Sequence, residues 1–192
     1  KDLADIQNAF RELISKIPKD GFLICNPSDP NVKPVLEAAK CKIVDYSEAK
    51  KDFRLKFPGQ YNIENAKAAF AVAQTFGIPE GKITALLEKY QGVWRRFELK
   101  GTAKSGALVY DDYAHHPTEI KAALRGFKEK FPGRRLTVVF QPHLFSRTRL
   151  LFDEFAESFG DADKVIVAPI FGAREKDDDG VNSEMLAEKI RQ

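Results

Sequence analysis

The sequence has few cysteines, no long apolar run and little excess of either charge. Only two Cys occur in 192 residues, Cys25 and Cys41, and neither belongs to a CxxC or CxxH spacing. Each falls in an apolar run that reads as a strand, which fits buried free thiols better than a disulfide or a metal site. No apolar stretch approaches the roughly 20 residues that span a bilayer, and no signal peptide is evident, so the expectation is a cytoplasmic protein without membrane partners. The formal net charge is +3, with Lys and Arg interleaved among Asp and Glu. A dedicated nucleic-acid binder would gather its cations into a stripe, and this chain does not. A phosphate cradle of the GxxxxGK[ST] type is missing too: the nearest text, "PEGKIT", lacks the first Gly and the spacing and reads as a helix start. Methionine is scarce, Met185 being the one example. The chain begins at Lys1 and stops at Gln192 within a run of helical character, so it reads as an excerpt from a longer protein.

What is there is the composition of an ordinary globular chain, 43% hydrophobic and 31% charged with 15 Phe, long enough for one large domain or two small ones. Leu3, Ile6, Phe10, Leu13, Ile14 and Ile17 recur at helical spacing until Pro18. "GFLIC" reads as a strand, "VKPVLEAA" as a helix and "CKIVDY" as a second strand, a βαβ unit that implies a parallel sheet. "SEAKKDFRLKFPGQ" is polar, with one possible edge strand in "FRLKF". Helices follow at about 63–76 and 79–90, the second with Ile83, Leu86, Leu87 and Tyr90 inward and Gly92 beyond its end. Past a boundary near Gly92–Arg95, "RRFELKGTAKSGALVYDDY" reads as two strands joined by a turn at Lys104-Ser105-Gly106. Then come a helix from Pro117 to about Phe131, the strand "RLTVVF", a helix from Ser146 to about Phe159, the strand "KVIVAPI" and a last helix near Ser183. The fold class is α/β.

In an open parallel sheet, ligands bind beyond the carboxyl ends of the strands. In the second half of the chain "ALVY" ends into Asp111, Asp112, Tyr113, His115 and His116. "LTVVF" ends into Gln141, His143, Ser146, Arg147 and Arg149, and "VIVAPI" into "FGAREKDDDG" with Arg174, Glu175 and Lys176. Three polar loops on one rim make a better case for a site than any single motif. In "VYDDYAHHPTEI", Pro117 suits the first helical position, His116 the N-cap or its neighbour, and Glu119 the dipole of the first turn, so helix initiation alone accounts for Pro117-Thr118-Glu119. It does not account for two Asp and two His in succession. Adjacent residues leaving a strand point to opposite sides, which argues against both histidines holding one metal ion. A hydrogen-bonding role toward a ligand fits better, with Asp112 placed to hold ribose hydroxyls. Arg147 and Arg149 at a helix start would oppose the dipole unless an anion lies between them; solvated surface arginines are the plainer alternative. Arg95 and Arg96 in "WRRF" pose the same choice.

The motifs "DDYAHHPTEI", "QPHLFSRTR", "GVWRRFELKG" and "PGQYNIENAKAAFAVAQTFGI" resemble the Mur ligases of peptidoglycan synthesis, in collinear order over nearly the whole chain. The resemblance implies that residues 1–93 form the C-terminal half of a central ATP-binding α/β domain. Residues 94–192 would form most of a Rossmann-like C-terminal domain with a mostly parallel sheet. It implies an ATP-dependent ligase in which a carboxylate becomes an acyl phosphate that an amine attacks, with Mg²⁺ beside ATP. The implied substrates are UDP-N-acetylmuramate and L-alanine, the form of "QPHLFSRTR" favouring a single amino acid over a preformed tripeptide. By the same resemblance Asn62 and Asn65 lie by the adenine, Arg96 and Asp112 on the nucleotide, and His115, His116 and Arg147 at the reacting groups. Tyr113, His143 and Arg149 would then surround the incoming amino acid. Two departures stand out: Tyr61 replaces the family's His before the first asparagine, and the stretch between "CKIVDY" and "PGQYN" is short. Lacking the P-loop, the chain alone is expected to be inactive; a non-catalytic ligase-like binding module is the alternative of a different class.

Overall fold

The computed structural model describes residues 2–49, 52–176 and 180–192. Lys50 and Lys51 of the polar stretch and Asp177–Asp179 of the third strand-end loop lie outside the described residues. The chain divides into two compact units, Lys1–Lys56 with Tyr61–Tyr90, and Phe57–Gln60 with Gln91–Gln192.

In the first unit, Asp2 caps α1 (Leu3–Ser15) by accepting the Asp5 N–H at 2.9 Å, and Asp5 returns the bond. The apolar spacing makes this helix, yet it buries only Ile14; Leu3, Ile6, Phe10 and Leu13 stay at least half exposed. Strands β1 (Phe22–Cys25) and β2 (Lys42–Asp45) pair in parallel, as the βαβ reading requires, with Phe22 opposite Lys42 and Cys25 opposite Asp45. Their crossover is a 3₁₀ helix, Lys33–Ala38, and not the expected α-helix. A proline in its first turn withholds an N–H, and six residues give only two such turns. Cys25, the last residue of β1, and Cys41, just before β2, are free but half-buried, and neither belongs to a core cluster. Partial burial, reinforced by Asp45, pushes the Cys25 thiol up.

The core of this unit is Phe53, Ala66, Phe70 and Ile83, flanked by Leu55, Ile63, Ala73 and Leu87. It joins α2 (Gln60–Thr75) to α3 (Glu80–Lys89). "FRLKF" forms no strand; Phe53 packs its ring 5.7 Å from that of Phe70 instead. On α3 Ile83 and Leu87 turn toward that core, while Leu86 and Tyr90, expected inward as well, are exposed.

The second unit opens with the expected hairpin, β3 (Glu98–Thr102) antiparallel to β4 (Leu108–Asp111), closed by a turn in which Gly106 takes a positive φ of 81°. Next come α4 (Pro117–Lys130) and β5 (Thr137–Phe140), which pairs in parallel with β6 (Lys164–Val167). The long helix expected between these strands is broken into α5 (Phe145–Leu150), α6 (Phe152–Ala156) and a 3₁₀ turn at Glu157–Phe159. Thr148, fully buried, sends its hydroxyl to the Leu144 carbonyl at 2.8 Å. The Thr148 N–H donates to the same carbonyl at 3.1 Å, so the hydroxyl shares that acceptor, and the helix breaks at Leu151, where φ is −112° and ψ 27°. α7 (Ser183–Arg191) is capped by Asn182, which accepts the Met185 N–H at 2.8 Å.

Ile120, Leu124, Phe140, Phe155, Phe159 and Leu186 form the core of this unit, Phe155 and Leu186 with no exposure at all. Asp163 pins its lower end, accepting the Leu136 N–H and the Lys128 ammonium, each at 2.6 Å. The unit is α/β with a parallel pair, as expected. Among the described residues, however, β4 pairs only with β3 and β5 only with β6.

Candidate functional site

Between β4 and β5 lies a cavity of about 810 Å³. Its apolar floor is α4, through Ile120, Leu124 and Phe127, and its walls are Leu108 and Tyr110 on one side and Thr137–Phe140 on the other. Where the strands end, the lining turns polar, with Asp111, Asp112, Tyr113 and His115 at and after the end of β4 and Gln141, His143 and Arg147 after β5, while the loop after β6 adds the apolar Phe171. Three strand-end loops thus border one rim, the third through Phe171 alone, since Arg174, Glu175 and Lys176 are not in the lining. The loops after β5 and β6 are joined by the Leu144 N–H to the Phe171 carbonyl at 2.9 Å and the Phe171 N–H to the Pro142 carbonyl at 2.8 Å. The His143 ring stands 6.4 Å from that of His115 and 5.5 Å from that of Phe171.

The geometry of each side chain follows from local structure. Asp112 accepts the Phe97 N–H through Oδ2 at 2.8 Å and the Ala114 N–H through Oδ1 at 2.9 Å. Both its oxygens are thus engaged in fixing the strand end to the preceding turn, leaving only second lone pairs for a ligand. His116 caps α4, its Nδ1 accepting the Thr118 N–H at 3.3 Å, and it is exposed outside the cavity lining. His115, by contrast, lines the cavity, with Nδ1 2.9 Å from the Tyr113 carbonyl. That contact favours the proton on Nδ1 and leaves Nε2 as the ring acceptor.

Arg147 carries the clearest electrostatic signal. Its Nη1 is buried and has no hydrogen-bond partner, and the residue lines the cavity. The sequence argument for an anion rested on cations opposing a helix dipole. In the structure α5 is six residues long and both Arg147 and Arg149 fall in its last turn, where cations are favoured. The dipole argument therefore fails, and the orphaned guanidinium nitrogen replaces it. Arg149 sits on the exposed side of α5 and, with Ser146, acts on Glu175. Ser146 gives Glu175 both its hydroxyl and its N–H, and these bonds, helped by the Arg149 charge, hold that carboxyl below its ordinary value.

Arg95 is the cavity residue that sequence reasoning left without a role. Its Nε donates to Asp111 Oδ2 at 3.1 Å, its guanidinium lies 4.8 Å from the Tyr113 ring centroid, and its backbone takes a positive φ of 57°. The signal was the doubled arginine of "WRRF", which gave no reason to prefer one over the other. Arg96 reaches Glu119 instead, at 3.6 Å. Asn62 and Asn65 belong to the first unit, three residues apart at the start of α2, so they share one helix face. Among the described residues, no three His, Cys, Asp or Glu side chains gather in a way that could hold a metal ion. Among the described residues, no helix is long and apolar enough to cross a membrane.

The elbow between β5 and α5 is strained. Leu144 has φ 75° and ψ 130°, a region that side-chain-bearing residues rarely enter. Next to it, a methyl group on Gly172 would lie 2.7 Å from the Phe145 ring, so only glycine lets the β6 loop come this close.

Comparison with known proteins adds four likenesses. Residues 95–192 match the family described as Mur ligase, glutamate ligase domain. The chain is 38% identical, over 219 aligned residues, to a UDP-N-acetylmuramate–L-alanine ligase of Clostridium botulinum, covering all of this chain and 47% of that protein. A solved UDP-N-acetylmuramate-alanine ligase of Thermotoga maritima superposes with a TM-score of 0.73 at 23% identity, over 100% of this chain and 45% of that one. A murein peptide ligase of Psychrobacter arcticus does so with a TM-score of 0.63 at 26% identity, over 98% and 44%. The chain thus spans about half the length of these relatives.

Proposed function

The chain belongs to the Mur ligase family, and on that premise we propose that the protein containing it is a cytoplasmic, ATP-dependent ligase that joins L-alanine to UDP-N-acetylmuramate. Residues 1–93 contribute the second half of the ATP-binding domain, and 94–192 most of the domain that receives the amino acid. The observation that carries the reading is the buried, unpartnered Nη1 of Arg147 in a cavity where three strand-end loops meet.

Such a nitrogen suits an oxygen of an anion, whether the carboxylate of the amino acid or the phosphate of an acyl phosphate. In the proposed reaction the muramyl carboxylate takes the γ-phosphoryl group of ATP. The amine then attacks the acyl carbon, phosphate leaves and an amide forms. The work of this chain's residues is positioning and charge stabilisation. Arg147 stabilises the charge that develops on the acyl phosphate, and His115, through Nε2, takes the proton the amine must lose. His143, Tyr113 and Arg149 orient the amino acid, and His116 holds the loop from the end of α4. Asn62 and Asn65 would lie by the adenine, with Arg96 and Asp112 on the rest of the nucleotide. Mg²⁺, when bound, would offset phosphate charge.

The likeness to the murein peptide ligase supports a second reading, in which a preformed tripeptide replaces L-alanine. An amide-forming assay on the full-length protein, offered L-alanine or tripeptide in turn, separates the two. Turnover with L-alanine is the expected result, and tripeptide-only turnover refutes it. The 192-residue chain alone should show no turnover, since it contains no GxxxxGK[ST] segment to cradle phosphates.

A further inference from the structure

Glu119 does more than begin α4. A capping box asks its carboxylate only to accept the N–H of the N-cap residue, here His116 at 3.2 Å. The same oxygen, Oε2, also accepts the His115 N–H at 3.0 Å and stands 3.4 Å from His115 Nδ1. The other oxygen, Oε1, faces Arg96 Nη2 at 3.6 Å. Burial pushes this carboxyl up, but the backbone bond and charge of His115, the N–H of His116 and the Arg96 charge bring it below its ordinary value. Glu119 is thus held as an anion among four partners, of which helix capping uses one.

Those partners belong to two segments of the rim. Arg96 sits in the turn of 94–97, which has positive φ at Arg95 and Phe97 and is tied to β4 by the Phe97 N–H to Asp112 and the Tyr113 N–H to the Arg95 carbonyl, both at 2.8 Å. His115 and His116 form the loop after β4. Resting on the ligase reading above, we propose that Glu119 is a positioning residue that couples these segments. A single carboxylate sets Arg96 on the nucleotide side and the His115 backbone on the acceptor side. A ligand that draws on Arg96 then loosens or tightens the histidine loop through Glu119.

The test is a double-mutant cycle of Glu119→Gln and Arg96→Gln, read in two ways. In the 192-residue chain, amide exchange at His115 and His116 should quicken by about tenfold or more in Glu119→Gln, which removes the charged acceptor. It should also quicken by about threefold or more in Arg96→Gln, although Arg96 touches neither amide. Unchanged exchange in Arg96→Gln overturns the proposal, because a carboxylate that only caps α4 would not register that change. In the full-length ligase, both variants should raise the KM for ATP and for the amino acid, with the double variant departing from additivity by about threefold or more. Additive effects, or a lowered melting temperature with unchanged KM, overturn it equally. Should Glu119→Gln fail to fold, the Arg96→Gln exchange measurement decides alone. A full-length protein that forms no amide refutes the ligase reading, while the exchange result still decides the role of Glu119.

Discussion

At the residue scale, Arg147 is the place where stability and function pull apart. A donor left without an acceptor in the interior costs roughly 1–3 kcal/mol, and Arg147 Nη1 is such a donor. Arg147→Met keeps the aliphatic stem and removes the orphan. Its melting temperature in the isolated chain should be unchanged or higher by the equivalent of about 1 kcal/mol, while the full-length ligase should lose about a hundredfold or more in kcat. A clear drop in melting temperature would show that the guanidinium is satisfied and structural. The sequence marked Arg147 as a cation opposing the dipole of a long helix, but α5 ends at Leu150 and Arg147 falls in its last turn. His116 was read from the sequence as the cap of α4 or its neighbour, and it is the cap. For Asp112 no local signal announced the two backbone N–H groups that its carboxylate accepts.

At the scale of elements, the β6 loop is held against α5 by an absence. Gly172→Ala would drive its methyl into the Phe145 ring, 2.7 Å away, and overpacking of this kind costs roughly 1–3 kcal/mol. Thermal unfolding of the variant should report that loss, and His143 should shift with it, since the His143–Phe171 bridge lies beside the displaced loop. A variant as stable as the parent would show that Phe145 has room to turn. Elements with their own local signature were legible: the hairpin with its glycine turn, α4 with Pro117 and Glu119, and the parallel pair of strands in each unit. Those decided by competition were not. Nothing in the periodicity of 146–159 marks the break at Leu151, where the backbone leaves helical values. Nor does "FRLKF" say that Phe53 will enter a core in place of pairing as an edge.

At the scale of the whole molecule, acid should be the weak side. Glu98, Glu119, Asp163 and Glu175 all have lowered pKa values in the folded chain. A carboxyl depressed on folding contributes stability above its ordinary range, about pH 4, and that contribution fades as the pH falls through the folded value. Melting temperature should therefore be flat near neutrality and decline below about pH 4, less steeply in Ser146→Ala, which withdraws the hydroxyl from Glu175. A profile unchanged by that substitution would remove Glu175 from the account. The chain falls into two units, and the grouping of Phe57–Gln60 with the later residues was not legible in the sequence, because they are distant along the chain. The same holds for the gap beside the parallel pair: β4 and β5 border one cavity, and neither strand pairs across it among the described residues. Its consequence is colloidal. A strand edge with unpaired N–H and C=O groups is a template for other chains, and a net charge of +3 provides little mutual repulsion. The polypeptide should therefore self-associate as its concentration rises, and a lysine placed on the outer edge of β4 or β5 should suppress that in light scattering.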